Sequence, residues 1–161
     1  MDINFKTVKA IVFDMGNTLI GEYEGTMLAL PGVADLLAQL QGRVKVVVGS
    51  NSPYTGEQVR EFLEGYGLTN VFDAVLTSAD FGAVKPNRVF FEKLLNLIDL
   101  EPSTCIMVGD AYYNDIQGAK MAGFKTVWLD MEVSSREDTQ MADVIIHSMT
   151  ECLDALLKLD E

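Results

Sequence analysis

Ala10-Ile11-Val12-Phe13-Asp14-Met15-Gly16-Asn17-Thr18-Leu19 decides the fold. Four apolar residues run into an acid, and a turn of small and polar residues follows. A short apolar run closed by turn residues predicts a buried strand, which puts Asp14 at its carboxyl end. In open parallel sheets, ligands bind in the crevice outside those ends. Taken alone, an acid in that position is a nucleophile, a metal ligand or a loop cap, and the remainder of the chain has to decide among them.

Working outward, the same grammar repeats. Further strands are predicted over residues 44–49, 71–77, 104–108 and 125–129, with a short sixth over 142–146. Between them lie helical patterns. One is opened by Pro31 and Gly32 and carries Val33, Leu36, Leu37 and Leu40. A second covers residues 55–66, and a third starts at Pro86 with Val89, Phe90, Leu94, Leu95 and Leu97. Two more cover residues 115–122 and 150–159. Residues 19–30 predict a turn and a short hairpin leaning over the first strand end, while 78–86 and 131–141 predict loops. Strands alternating with helices predict an α/β fold: a Rossmann-like three-layer α/β/α sandwich around a mainly parallel sheet of five or six strands. Residues 1–161 read as one domain.

Composition narrows the function. The net charge of −12 argues against nucleic-acid binding through a basic face. Cys105 falls in a predicted strand and Cys152 on a helix face, so both read as core thiols without a metal-like spacing. No apolar segment is long enough to span a membrane. The polar amino-terminal stretch lacks the pattern of a signal peptide. The expected location is cytoplasmic.

The polar residues at the strand ends are Asp14, Ser50, Asn51, Lys85, Asp110 and Asp115, and the predicted topology lets them converge on one crevice. Two carboxylates at one point repel and favour a cation between them. A site with few carboxylates and room for water and a phosphate suits Mg²⁺. Lys85 and the Ser50 hydroxyl add donors for an anion, and helix amino ends near Thr55 and Asp115 add backbone N–H groups. Together these groups describe phosphoryl transfer, in which catalysis is positioning plus charge neutralisation.

With these residues placed, the chain resembles the haloacid dehalogenase superfamily of hydrolases from Val8 to about Leu157. Asp14-Met15-Gly16-Asn17-Thr18 corresponds to the first motif, DxDxT at a strand end. Val46-Val47-Val48-Gly49-Ser50-Asn51 corresponds to the second, and Lys85-Pro86 to the third. Gly109-Asp110 with Asp115 corresponds to the fourth, GDxxxxD. The resemblance implies Asp14 as a nucleophile that forms an aspartyl-phosphate. It implies phosphate binding by Ser50 and Lys85, and for Asn51 either a phosphate contact or, as for Thr18, a turn and structural role. Lys85 would offset charge on Asp14 and the phosphoryl group. Mg²⁺ would be held by Asp14, Asp110 and the Gly16 carbonyl, with Asp115 supporting the metal or holding Lys85. The residues alone leave simpler roles open: Ser50 as a helix cap, Lys85 as a solvated lysine, Asp115 as a helix-start acid, His147 as structural, and Tyr112 and Tyr113 as either crevice lining or loop cover.

One position departs from the pattern. Most phosphatases of the family carry a general acid and base where this chain has Gly16. Metal binding through the carbonyl survives that change; side-chain proton transfer does not. The resemblance therefore implies a Mg²⁺-dependent phosphatase acting on a phosphorylated substrate. A catalytically weak binding or regulatory protein is the alternative, and a haloacid dehalogenase is disfavoured by the Asp110 and Asp115 pair. The stretches from Asp14 to Ser50 and from Ser50 to Lys85 are used up by the predicted elements, so no cap domain fits. The resemblance is to the capless branch, which implies a large substrate or a homo-oligomer whose neighbour covers the site.

Overall fold

The computed structural model describes residues 3–161. Met1 and Asp2, part of the stretch read for a signal peptide, lie outside the described residues. Along the chain, β1 (Ala10–Phe13) leads into a hairpin of β2 (Ile20–Tyr23) and β3 (Thr26–Ala29), then α1 (Val33–Leu40), β4 (Lys45–Ser50) and α2 (Gly56–Glu64). After these come β5 (Ala74–Thr77), α3 (Ser78–Phe81), α4 (Arg88–Ile98) and β6 (Cys105–Gly109). A π-helical turn over Tyr112–Gln117 runs into α5 (Gly118–Met121), and β7 (Lys125–Leu129), β8 (Val144–Ile146) and α6 (Cys152–Leu159) complete the chain.

Six strands form one sheet in the order β5-β4-β1-β6-β7-β8, and every pairing is parallel. β1 is buried along its whole length, because helices cover both faces. Its side chains alternate between two cores. Ile11 and Phe13 join Leu37, Leu63 and Leu156 on the face covered by α1, α2 and α6. Ala10 and Val12 join Phe90, Phe91, Leu94 and Phe124 on the face covered by α4 and α5. The chain builds outward from β1 through β4 to β5, then returns to β6 on the other side of β1. The reversal falls between β1 and β6, where an open parallel sheet has its binding crevice. Residues 14–44 hold only the hairpin, α1 and their turns, and residues 51–84 only α2, β5, α3 and their connections, so neither contains a cap domain. No helix among the described residues is long and apolar enough to cross a membrane.

The differences from the sequence reading are local. The predicted loop over 78–86 opens with α3, a single turn capped by the Thr77 side chain and ended by Gly82 at φ 66°. Four residues are too few to show a helical period. β5 starts only at Ala74, because Asn70 is left-handed at φ 59° and the Asp73 carboxylate accepts from the Val46 N–H before the ladder begins. β8 is shorter than the predicted 142–146, since Asp143 is held by the Thr126 N–H at 2.9 Å. The helix predicted over 115–122 begins earlier, as the π-helical turn. On α4 the buried stripe is Phe90, Phe91, Leu94 and Ile98, while Val89 and Leu97 face solvent. Both cysteines are buried free thiols, as expected.

Candidate active site

The centre of the crevice is the Lys85 ammonium, which is buried on a loop between α3 and α4. Its Nζ donates to Asp14 Oδ1 at 2.9 Å, to the Gly49 carbonyl at 2.8 Å and to Asp115 Oδ1 at 2.6 Å. A lysine has three N–H donors, and here each has an acceptor. Burial pulls the Lys85 pKa down, but the charges of Asp14 and Asp115 outweigh it, and the net shift is upward. The lysine is therefore locked in its charged form.

Three separate elements place it. Asn51, just past β4, grips the Lys85 backbone from both sides: its Oδ1 accepts from the Lys85 N–H at 2.8 Å, and its Nδ2 donates to the Lys85 carbonyl at 3.0 Å. Of the structural and phosphate-contact roles open to Asn51, the contacts its side chain makes are structural, to the Lys85 backbone. Asp115, buried in the π-helical turn, accepts from Lys85 with one oxygen and from the Ala111 N–H with the other at 3.1 Å. Of the two roles foreseen for Asp115, holding Lys85 is the contact present. Gly109 permits it, because a Cβ there would collide with the Asp115 carboxylate. Asp14 itself hangs from the end of β1, whose last backbone N–H bond runs from Asp14 to Val108 of β6.

Asp110 stands on the other side. Its side chain receives one long hydrogen bond, 3.4 Å from the Thr18 hydroxyl. Burial first, and then the charge of Asp14, push its carboxyl up to about 6. Burial and Asp14 also push Asp115 upward, with Lys85 opposing. Carboxylate oxygens of Asp14, Asp110 and Asp115 can be chosen that all lie within 4.8 Å of one another. Around them Met15, Gly16, Ser50, Asn51, Ala111 and Asn114 line a small crevice of about 200 Å³ with Asp14, Lys85 and Asp115. Ser50 is buried, and its hydroxyl makes only a 3.5 Å contact with the Asn51 carbonyl. It does not cap α2; Thr55 does, in a capping box with Gln58.

Several supporting residues escaped the sequence reading. Asn114 lines the crevice, and its only sequence signal was its place next to Asp115. Trp128 donates from Nε1 to the Asp110 carbonyl at 2.9 Å and so fixes the backbone of that acid. Tyr112 packs edge-on to Trp128, and its hydroxyl accepts from the Met141 N–H. Tyr112 therefore covers a loop rather than lining the crevice, and Tyr113 is exposed on the surface. Glu22 of the hairpin lines a depression that also contains Asn17 and Asp110. His147 is structural, with Nδ1 against the Asp130 carbonyl at 2.8 Å. Gly16 has a backbone that any residue can adopt, and no atom lies within 4 Å of where its Cβ would be.

The chain is similar to known proteins in sequence and in fold. The chain is 36% identical over 102 residues to the pyrimidine 5'-nucleotidase of Escherichia coli, an alignment covering 63% of this chain and 44% of that protein. It is 34% identical over 130 residues to the ribulose-1,5-bisphosphate 5-phosphatase of Halopiger xanaduensis, covering 80% and 53%. The chain thus spans about half the length of the curated relatives it matches. Among solved structures, an uncharacterized protein from Listeria monocytogenes superposes with a TM-score of 0.80 at 22% identity, covering 94% of this chain and 98% of that one. A HAD phosphatase from Thermococcus onnurineus gives 0.76 at 20% identity, covering 92% and 98%; at these identities the likeness speaks for the fold alone. The family model for haloacid dehalogenase-like hydrolases matches residues 17–129, and the chain belongs to that family.

Proposed function

We propose that this chain is a Mg²⁺-dependent phosphatase that hydrolyses phosphomonoesters through an aspartyl-phosphate on Asp14. The observation that carries the reading is the contact of Lys85 Nζ with Asp14 Oδ1 at 2.9 Å in a crevice that also holds Asp110. The buried lysine holds the Asp14 carboxylate in place, oriented as a nucleophile. The names of the relatives support a phosphate ester as substrate.

The donor set suits a hard divalent cation. Three carboxylates face one buried lysine, which leaves negative charge uncompensated at Asp110. Asp14, Asp110 and the Gly16 carbonyl would hold the ion, with Asp115 behind them. Bound there, Mg²⁺ would neutralise charge on the phosphoryl oxygens. Asp14 attacks phosphorus, the bond to the ester oxygen breaks, and its electron pair leaves with the alcohol. Water then attacks the aspartyl-phosphate, releasing inorganic phosphate and restoring Asp14. The Ser50 hydroxyl donates to the transferring group and the Lys85 charge offsets that of the group and of Asp14, while Asn51 and Asp115 keep Lys85 in place.

Gly16 supports a second reading, a binding protein of low turnover, since no side chain at that position can move a proton. Phosphate release from a panel of phosphomonoesters, with and without Mg²⁺, separates the two; a 2-haloacid run in parallel tests carbon–halogen hydrolysis. Mg²⁺-dependent release by the parent and none by Asp14→Asn is the expected result. Equal release by both proteins, or none by either, contradicts the phosphatase reading.

A further inference from the structure

Beside the catalytic crevice lies a second depression of about 430 Å³, lined by Met15, Ser52, Tyr54, Gln58, Val59 and Phe62. Met15 lines both, so the two depressions adjoin at that side chain, with Asp14 in the charged one. The second contains no charged residue. Its volume falls in the range of small-molecule pockets.

The second depression is built in advance. The Tyr54 N–H donates to Ser52 Oγ at 3.1 Å, and the Tyr54 carbonyl accepts from the Thr77 hydroxyl at 2.7 Å. The Gln58 amide oxygen is held by the Thr55 N–H in the capping box of α2. Phe62 is braced by Tyr66, with ring centroids 5.1 Å apart. Yet Tyr54 is 60% exposed and Phe62 46%. Two aromatic rings open to solvent, one on a backbone held in place and one braced by Tyr66, suit a flat apolar group beside a phosphoryl site.

Gly16 points the same way independently. With no acid at that position, no side chain there can protonate the leaving oxygen. A phenol ionises near pH 10, so phenolate leaves readily, whereas an alkoxide needs a proton donor.

Resting on the phosphatase reading, we infer that the substrate is an aryl phosphate monoester whose ring lies against Tyr54 and Phe62. The bond from Asp14 to phosphorus forms as the bond from phosphorus to the aryl oxygen breaks. The phenolate carries away the electron pair and takes its proton from water.

The test compares 2-naphthyl phosphate, acetyl phosphate and 2-phenylethyl phosphate, each with Mg²⁺. Acetyl phosphate has a good leaving group and no ring, so it reports on the catalytic crevice alone. Phe62→Ser and Tyr54→Ala change exposed side chains outside the catalytic machinery. Each should lower kcat/KM for 2-naphthyl phosphate at least about tenfold, mainly through KM, and leave acetyl phosphate unchanged. The parent should turn over 2-phenylethyl phosphate at least about 10²-fold more slowly than 2-naphthyl phosphate. By calorimetry it should bind benzylphosphonate more tightly than methylphosphonate. Hydrolysis of acetyl phosphate with no effect of either variant on 2-naphthyl phosphate overturns this inference and leaves the phosphatase reading standing. Equal binding of the two phosphonates also overturns it. No hydrolysis of any of the three overturns the phosphatase reading and this inference with it.

Discussion

On one wall of the crevice, Lys85 and Asp115 form a closed unit: both are buried, they meet at 2.6 Å, and the remaining donors of the lysine go to Gly49 and Asp14. On the other wall, Asp110 has one long contact from Thr18 and no ion pair among the described residues. The first wall is complete as the chain folds, and it holds Asp14. The second is a carboxylate beside a carboxylate, and its electrostatics are balanced only by something added. The difference separates a carboxylate held by a buried lysine from one with no cationic side chain against it among the described residues.

The comparison predicts opposite responses to losing a charge. Lys85→Met should break the closed wall, leaving Asp115 buried without its partner. Removing one member of a buried pair costs about 3–5 kcal/mol, so chemical denaturation at neutral pH should show a loss of that order together with loss of turnover. Asp110→Asn should do the reverse to stability, because it removes a repulsion; the melting temperature in chelator should be unchanged or higher. Its Mg²⁺-supported turnover should fall by at least about 10²-fold. A strongly destabilised Asp110→Asn protein would show that Asp110 belongs to the structural wall after all.

A smaller change is expected from Gly16→Asp. The site has room and an ordinary backbone, so the variant should fold. On the proposed mechanism, with no acid at position 16, breakdown of the phosphoenzyme should limit the parent, and an aryl phosphate should give a burst of phenolate. The new carboxylate should shorten the burst and raise steady-state turnover about tenfold, below the 10²–10⁴-fold of an evolved general acid–base. A linear time course in the parent would assign the proton to another group, and Glu22, which shares a depression with Asp110, is the first to replace.

The smallest effect is on pH dependence. Asp110 is raised to about 6 in the folded chain from an ordinary value of 3.8. Between those values the folded state binds more proton than the unfolded state, so stability falls as pH rises from about 4 through about 6. In chelator, the parent should therefore lose stability over that window relative to Asp110→Asn. Mg²⁺ should flatten the difference, and identical profiles in chelator would remove the charge deficit on which the comparison rests.

Asp14, Ser50 and Asp110 were legible in the sequence because each sits where an apolar run stops: after β1, at the end of β4 and after β6. Lys85 was legible only through its motif, since a lysine before a proline in a loop has no periodic signal. What each residue holds was not legible. The grip of Asn51 on the Lys85 backbone joins positions far apart in sequence, and the bond from Trp128 to the Asp110 carbonyl depends on β6 and β7 lying side by side. The π-helical turn that aims Asp115 inward looks, in sequence, like the start of an ordinary helix. The aromatic pocket was hidden for the opposite reason: Tyr54 and Phe62 belong to different local patterns, a loop and a helix face, and become one surface only when α2 packs beside the crevice.

The central claim is that Asp14 takes the phosphoryl group. Acid quenching during turnover of an aryl phosphate with Mg²⁺, followed by peptide mass spectrometry, tests it most directly. The account predicts one phosphoryl group on the peptide containing Asp14, absent in Asp14→Asn and absent when the parent is quenched without Mg²⁺. Phosphate release at full rate with no phosphorylated Asp14 peptide at any quench time, or a phosphoryl group on another residue, would contradict it.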